Sequence, residues 1–109
     1  MNYKSGEIVL IKFPYTNLMN SKKRPVLIIK ADNELGDFVC FQITSQSKAK
    51  NIVKIEEKDF ENKQLKLTSF VKYDKCFTLN SEIVEKSLSS VNKNFLKNLQ
   101  KLFCDETFL

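Results

Sequence analysis

Three apolar runs follow one another with a loop and then a turn between them: Gly6 to Phe13, Pro25 to Lys30 and Asp37 to Ile43. In the first, Ile8, Leu10 and Lys12 alternate with Val9, Ile11 and Phe13, a period of two that reads as a strand with both faces largely covered. Pro14-Tyr15-Thr16-Asn17 carries turn chemistry, and the stretch on to Ser21 reads as a loop. Between the second and third runs lie Asp32, Asn33 and Gly36, residues that suit a tight turn. Strand, loop, strand, turn, strand makes an antiparallel meander, and this pattern limits what the chain can become. Four short hydrogen-bonding side chains, Thr44-Ser45-Gln46-Ser47, then end the third run.

Further along, Asn51 to Ile55 fits a short strand and Glu56 to Lys63 a charged turn or a single helical turn. Leu65 to Tyr73 reads as another strand, continued by Cys76 to Leu79 after a bend at Asp74-Lys75. Asn80 can cap a short helix that begins at Ser81-Glu82. From Val91 the apolar residues Val91, Phe95, Leu99, Leu102 and Phe103 recur at the helical period. Lys93, Lys97 and Lys101 stripe the other side of that helix, a pattern that suits a solvated face. Short strands close together plus one terminal helix predict a mainly β (α+β) domain: a strongly bent antiparallel sheet or small barrel with a C-terminal α-helix.

Composition removes several function classes. At 109 residues the chain is one domain, and 42% hydrophobic content with nine Phe is enough for a single packed core. No apolar run approaches the roughly 20 residues of a membrane span, and the opening Met1-Asn2-Tyr3-Lys4-Ser5 is not a signal peptide, so a cytoplasmic protein is expected. There is no histidine, which excludes imidazole acid-base catalysis, His-activated nucleophiles and histidine metal ligands. Cys40, Cys76 and Cys104 are odd in number and lack paired spacing, which argues against a disulfide framework or a zinc site; reduced, mostly buried thiols are expected. No metal site and no cofactor are expected. Net charge is +5, and the first thirty residues hold six basic side chains against the single acid Glu7. That excess attracts anions, whether nucleic acid or an acidic protein.

Arg24 is the only arginine among 18 basic residues. A guanidinium stays charged and presents a planar fork of donors that matches two phosphate oxygens at once, which a lysine ammonium does not. Pro25 biases Arg24 toward extended geometry at the mouth of the following strand.

Four stretches in order then resemble the MazF/PemK toxins of type II toxin-antitoxin systems. They are Gly6-Glu7-Ile8-Val9-Leu10-Ile11-Lys12-Phe13-Pro14-Tyr15-Thr16, Lys23-Arg24-Pro25-Val26-Leu27-Ile28-Ile29, Ile43-Thr44-Ser45, and Leu67-Thr68-Ser69-Phe70-Val71-Lys72-Tyr73-Asp74-Lys75. The resemblance implies a homodimeric, SH3-like barrel that cleaves single-stranded RNA without a metal and is neutralised by a cognate acidic antitoxin, through which operator DNA could also be bound. By the same resemblance Arg24 and Thr44 are the catalytic residues. Tyr15, Thr16, Lys22, Lys23, Ser45, Gln46, Ser69 and Phe70 are the expected RNA-binding set. One departure is that Asn62 to Leu67 lacks the glycine usual before the Thr-Ser pair.

The residues fit that chemistry on their own terms. Attack of a ribose 2′-OH on the neighbouring phosphate builds negative charge on the phosphoryl oxygens, which fixed donors stabilise. Arg24 and the β-branched, rotamer-restricted Thr44 are suited to this. Tyr15 and Phe70 could stack on bases or serve as ordinary core aromatics. Proton transfer falls to a carboxylate such as Glu7, to Arg24 or to water, and the sequence does not choose among them. A second reading of the same pattern is a non-catalytic SH3-like binding module, such as a gyrase-inhibitor-type toxin or a DNA-associated autoregulator; a third is a degenerate toxin relic.

Overall fold

A computed structural model describes residues 2–12 and 23–108. Six strands form one antiparallel sheet: β1 (Glu7–Lys12), β2 (Lys23–Asp32), β3 (Asp37–Thr44), β4 (Ile52–Lys54), β5 (Phe70–Asn80) and β6 (Val84–Ser90). Among the described residues one α-helix, α1 (Lys93–Thr107), follows. The sheet order is β4-β5-β3-β2-β1-β6. β2 and β3 form the predicted hairpin, with Asp32 opposite Asp37. Its turn is held by the Asp32 carboxylate, which accepts from the backbone N–H groups of Glu34 and Leu35. Gly36 closes it at φ +80, a conformation that a side chain resists.

The ladders are irregular where the sheet must bend. Register shifts interrupt β2–β3 between Ile28 and Lys30, β3–β5 between Phe41 and Gln42, and β1–β6 at two places. Such bulges kink a strand and increase its twist. The bend carries the two ends of the sheet toward each other, although no ladder joins β4 to β6. Instead Phe60, just after β4, bridges Val91 just after β6, and Glu61 N–H donates to the Ser90 carbonyl at 2.9 Å.

Alternation along the strands fills both faces. Ile8, Leu27, Phe41, Ile43, Val71 and Tyr73 face one way and pack with Phe95 and Leu99 of α1. Val9, Ile11, Val26, Ile28, Phe38, Cys40 and Leu79 form a second cluster on the opposite face. α1 starts where the Asn92 side chain accepts from Phe95 N–H at 2.9 Å, and it buries Phe95 and Leu99, one turn apart. Gly6 lets the sheet and the helix start approach closely: at φ +93, a Cβ there would sit 2.9 Å from the Val91 carbonyl oxygen.

Three elements differ from the sequence reading. The strand expected from Leu65 begins only at Phe70 and runs unbroken to Asn80, so the expected bend at Asp74-Lys75 is a bulge within β5. The short helix after Asn80 is a single 3₁₀ turn, Ser81–Ile83, although Asn80 does cap it by accepting from Glu82 N–H. Val84–Ser90, for which no strand was expected, pairs with β1 as an edge strand. The thiols differ too: Cys40 is buried, whereas Cys76 and Cys104 are exposed.

Candidate active site

The geometry of the site follows from strand register. Ile11 pairs with Arg24 across β1–β2, and Thr44 pairs with Phe70 across β3–β5, which in turn pairs with Lys54 of β4. The β2–β3 ladder ends at Val26 opposite Gln42; two residues further along both strands stand Arg24 and Thr44. Residues directly opposite in an antiparallel pair share a face, and side chains two apart on a strand do so as well. Arg24, Thr44 and Phe70 therefore lie on the face of Val26 and Gln42, in one row across the end of the sheet.

Along that face the character of the side chains changes. Phe38 and Cys40 of β3 are buried at one end, whereas Gln42 and Thr44 are only half-buried at the other. Burial pushes the Cys40 thiol up to about 12, with a smaller push from Cys76, so it is not a nucleophile. Arg24 is half-buried, and among the described residues no carboxylate lies within ion-pair distance of it. Thr44 Oγ1 accepts from Gln46 N–H at 3.1 Å, which fixes the hydroxyl and leaves its own proton available to donate.

A polar group absent from the sequence reading flanks this row. Lys72 is opposite Gln42, and its ammonium lies 3.0 Å from Asp74 Oδ1 and 3.0 Å from the Lys50 carbonyl oxygen. Asn51 Nδ2 donates to Asp74 Oδ2 at 3.1 Å, while the Asn51 carbonyl accepts from Tyr73 N–H in the β5 bulge. Asn51 is the one described non-glycine residue at positive φ, 57°. Burial raises the Asp74 pKa, but hydrogen bonds from Lys72 and Asn51 and the Lys72 charge outweigh it and hold the carboxyl below its ordinary value.

The remaining site residues are distributed unevenly. Ser45 and Gln46 are exposed immediately beyond Thr44. Lys23 is exposed opposite Lys12 and 3.8 Å from Glu85. Ser69 is buried, and its hydroxyl donates to the Leu67 carbonyl at 2.9 Å, so it closes the turn before β5 rather than joining the row. Tyr15, Thr16 and Lys22 lie outside the described residues. Glu7 is opposite Ser90 at the other end of β1, four residues from Ile11, and accepts from Lys4 N–H. At about 3.3 Å per residue it is some 13 Å along the strand from the row.

A bent sheet whose end presents a lone guanidinium, a fixed hydroxyl and an aromatic ring on one face is an arrangement suited to an anion joined to flat bases. Residues 4–105 match the family of PemK-like, MazF-like toxins of type II toxin-antitoxin systems, and the chain belongs to that family. A sequence comparison with curated proteins gives no match. Solved structures share the fold at low identity. A mycobacterial endoribonuclease in complex with its cognate antitoxin is 17% identical with a TM-score of 0.74, over 95% of this chain and 93% of that one. A MazE–MazF complex from Deinococcus radiodurans is 17% identical with a TM-score of 0.77, over 95% and 94%. The toxin MazF-mt6 of Mycobacterium tuberculosis is 16% identical with a TM-score of 0.68, over 91% and 93%. Among the described residues no helix is long and apolar enough to cross a membrane, and no three of Cys, Asp and Glu are grouped as metal ligands.

Proposed function

We propose that this toxin is an endoribonuclease that cuts single-stranded RNA by transesterification, without a metal ion. The observation that carries the reading is the row itself: Arg24 and Thr44 at the matched ends of neighbouring strands, on the face shared with Phe70. The ribose 2′-oxygen attacks the adjacent phosphorus as the bond to the 5′-oxygen breaks. The products are a 2′,3′-cyclic phosphate and a 5′-OH. Arg24 offers two N–H donors and Thr44 one O–H donor to the phosphoryl oxygens, whose charge rises in the transition state. Asp74, held ionised by Lys72 and Asn51 on the flank of the row, accepts the 2′-OH proton, directly or through one water, and water supplies the proton that the departing 5′-oxygen takes up. Phe70 stacks on a base beside the scissile phosphate, with Lys23, Ser45 and Gln46 along the strand exits and Tyr15, Thr16 and Lys22 completing the contact set.

The working protein in this reading is a cytoplasmic homodimer silenced by an acidic antitoxin, which also brings it to operator DNA. The relatives solved as complexes, an endoribonuclease with its cognate antitoxin and MazF with MazE, support the partner by analogy. The test is incubation with mixed-sequence RNA and with DNA in EDTA, followed by mapping of ends. RNA cut to cyclic or 3′-phosphate ends, with DNA intact, is the expected result; cleavage that needs added magnesium, or of DNA, would refute it.

A further inference from the structure

Beyond Phe70 the row reaches the β4 edge of the sheet, where Lys54 is opposite Phe70 and Ile55 N–H donates to the Ser69 carbonyl at 3.0 Å. Past that bond the two chain segments separate around a half-open cavity of ≈ 300 Å³, between the stretch from Lys54 to Phe60 and that from Gln64 to Ser69. Both walls are held in place. The Asp59 carboxylate accepts from Glu56 N–H at 2.8 Å and fixes a 3₁₀ turn, Glu57–Asp59. On the other side the Ser69 hydroxyl ties back to the Leu67 carbonyl, while Phe60 is anchored by its bridge to Val91. Glu57, Gln64 and Thr68 line the cavity and are exposed, and among the described residues none of their side chains has a hydrogen-bond or ion-pair partner.

We infer that this cavity is a base-selective pocket of the RNA site and that guanine is the base it takes; its place in the substrate rests on the ribonuclease reading. Lys54 is two strand spacings, roughly 10 Å, from Thr44. An RNA whose scissile phosphate is at Arg24 and Thr44, and whose adjoining base lies on Phe70, therefore delivers its next base to the cavity. Single-stranded RNA is read on splayed bases through their Watson–Crick edges. Guanine presents two adjacent donors there, N1–H and the 2-amino group, beside the O6 acceptor. One carboxylate accepts from both donors, and an amide NH₂ donates to O6; Glu57 and Gln64 supply that pair. Uracil sets two carbonyl oxygens against the carboxylate. Adenine and cytosine offer one amino group beside a ring nitrogen that accepts, so each leaves a polar group unmatched. Lys54 and Lys66, both exposed and lining the cavity, meet the flanking phosphates.

The first measurement is end-sequencing of a randomised RNA pool cut by the full chain. Guanine should be enriched about fivefold or more at one fixed position near the cut, the low end of what a bidentate contact discriminates. Glu57→Gln and, separately, Gln64→Ala should flatten the preference at that position and keep it at the others, with melting temperature at the parent level. The second measurement needs no cleavage: anisotropy of fluorescein-labelled 2′-O-methyl uridine heptamers whose central base is guanine, hypoxanthine or adenine. Guanine should bind best, hypoxanthine, which lacks the 2-amino group, should bind about fivefold more weakly, and the gap should vanish in Glu57→Gln. Equal binding of guanine and hypoxanthine, or a guanine preference that survives both substitutions, would overturn the pocket. RNA cleavage whose base preference neither variant moves would keep the ribonuclease reading and remove the pocket. Guanine-selective binding by a chain that cuts no RNA would do the opposite.

Discussion

The two ends of β3 show how one strand serves two purposes. Around Phe41 both of its faces are sealed: Phe41 against α1, and Cys40 in the opposite cluster. At Gln42 and Thr44 the face that holds Cys40 opens and its side chains become polar without any change in strand geometry, while Ile43 between them stays buried with Phe41 on the other face. The transition coincides with the β5 bulge opposite Phe41 and Gln42, where Tyr73 to Lys75 leave the ladder. On one side of the bulge β5 packs Leu79 into the core; on the other it still gives Val71 and Tyr73 to the core on one face but places Phe70 and Lys72 on the face of the candidate site, with Asp74 in the bulge between. The lesson is that the candidate row lies where one face of the sheet stops being core. Stability and chemistry should therefore separate along β3 when residues on either side of Gln42 are changed.

The largest separation is expected from Phe41→Ala. Phe41 is 2% exposed and packs against Phe103 with tilted rings, so truncation should cost about 3–5 kcal/mol of unfolding free energy, read from the urea midpoint. A loss under about 1 kcal/mol would mean that the core does not extend this far. Arg24→Lys should do the reverse, keeping the urea midpoint while lowering cleavage by roughly 10²- to 10³-fold, because an ammonium holds the charge without the fork. Near-parent cleavage would remove Arg24 from the phosphate. Thr44→Val should lower kcat more than RNA affinity, whereas Thr44→Ser, which keeps both the acceptor for Gln46 N–H and the donor, should retain most activity. If affinity falls as far as kcat in the Val variant, Thr44 positions substrate instead of stabilising the transition state.

Smaller effects probe the flank. Asn51→Ala removes a hydrogen bond to Asp74 and places a β-carbon residue at φ 57 without the local polar compensation of Asn; about 1 kcal/mol of stability should be lost. The smallest effect is that of pH on Asp74. Its folded pKa lies below its ordinary value, so its contribution is full above the ordinary carboxylate pKa of about 4 and disappears as pH falls through the folded value. Comparing urea midpoints of the parent and Asp74→Asn between pH 6 and 2 should show a small gap that closes only at the acid end. A gap that widens there would reverse the sign of the assignment.

Much of this architecture is legible from local pattern. The first three strands, the hairpin turn at Gly36 and the helix after Asn92 follow from periodicity and capping. Val84–Ser90 does not, because a Glu, a Lys and three Ser carry no strand pattern; its conformation is imposed by the edge of β1. The start of β5 also escapes, since Leu65 to Ser69 look extended in sequence but form turns that tie Ser69 to Leu67. Arg24 and Thr44 are singled out by residue type and motif. Lys72, Asp74 and Asn51 are not, since their contact spans more than twenty residues and depends on a bulge that only the β3–β5 register reveals. That register also sets Glu7, one of the sequence candidates for proton transfer, at the far end of β1 from the row.

The most direct test of the account is to locate the scissile phosphate on the protein. An RNA carrying a single 2′-deoxy sugar at its mapped cleavage position should bind without being cut, and ¹H–¹⁵N spectra of the labelled protein can be followed as it is added. Shifts concentrated at Arg24, Thr44 to Gln46 and Phe70 to Asp74, with Leu96 to Phe103 unmoved, are the predicted result. Shifts centred on α1, or cleavage of the deoxy substrate, would contradict it.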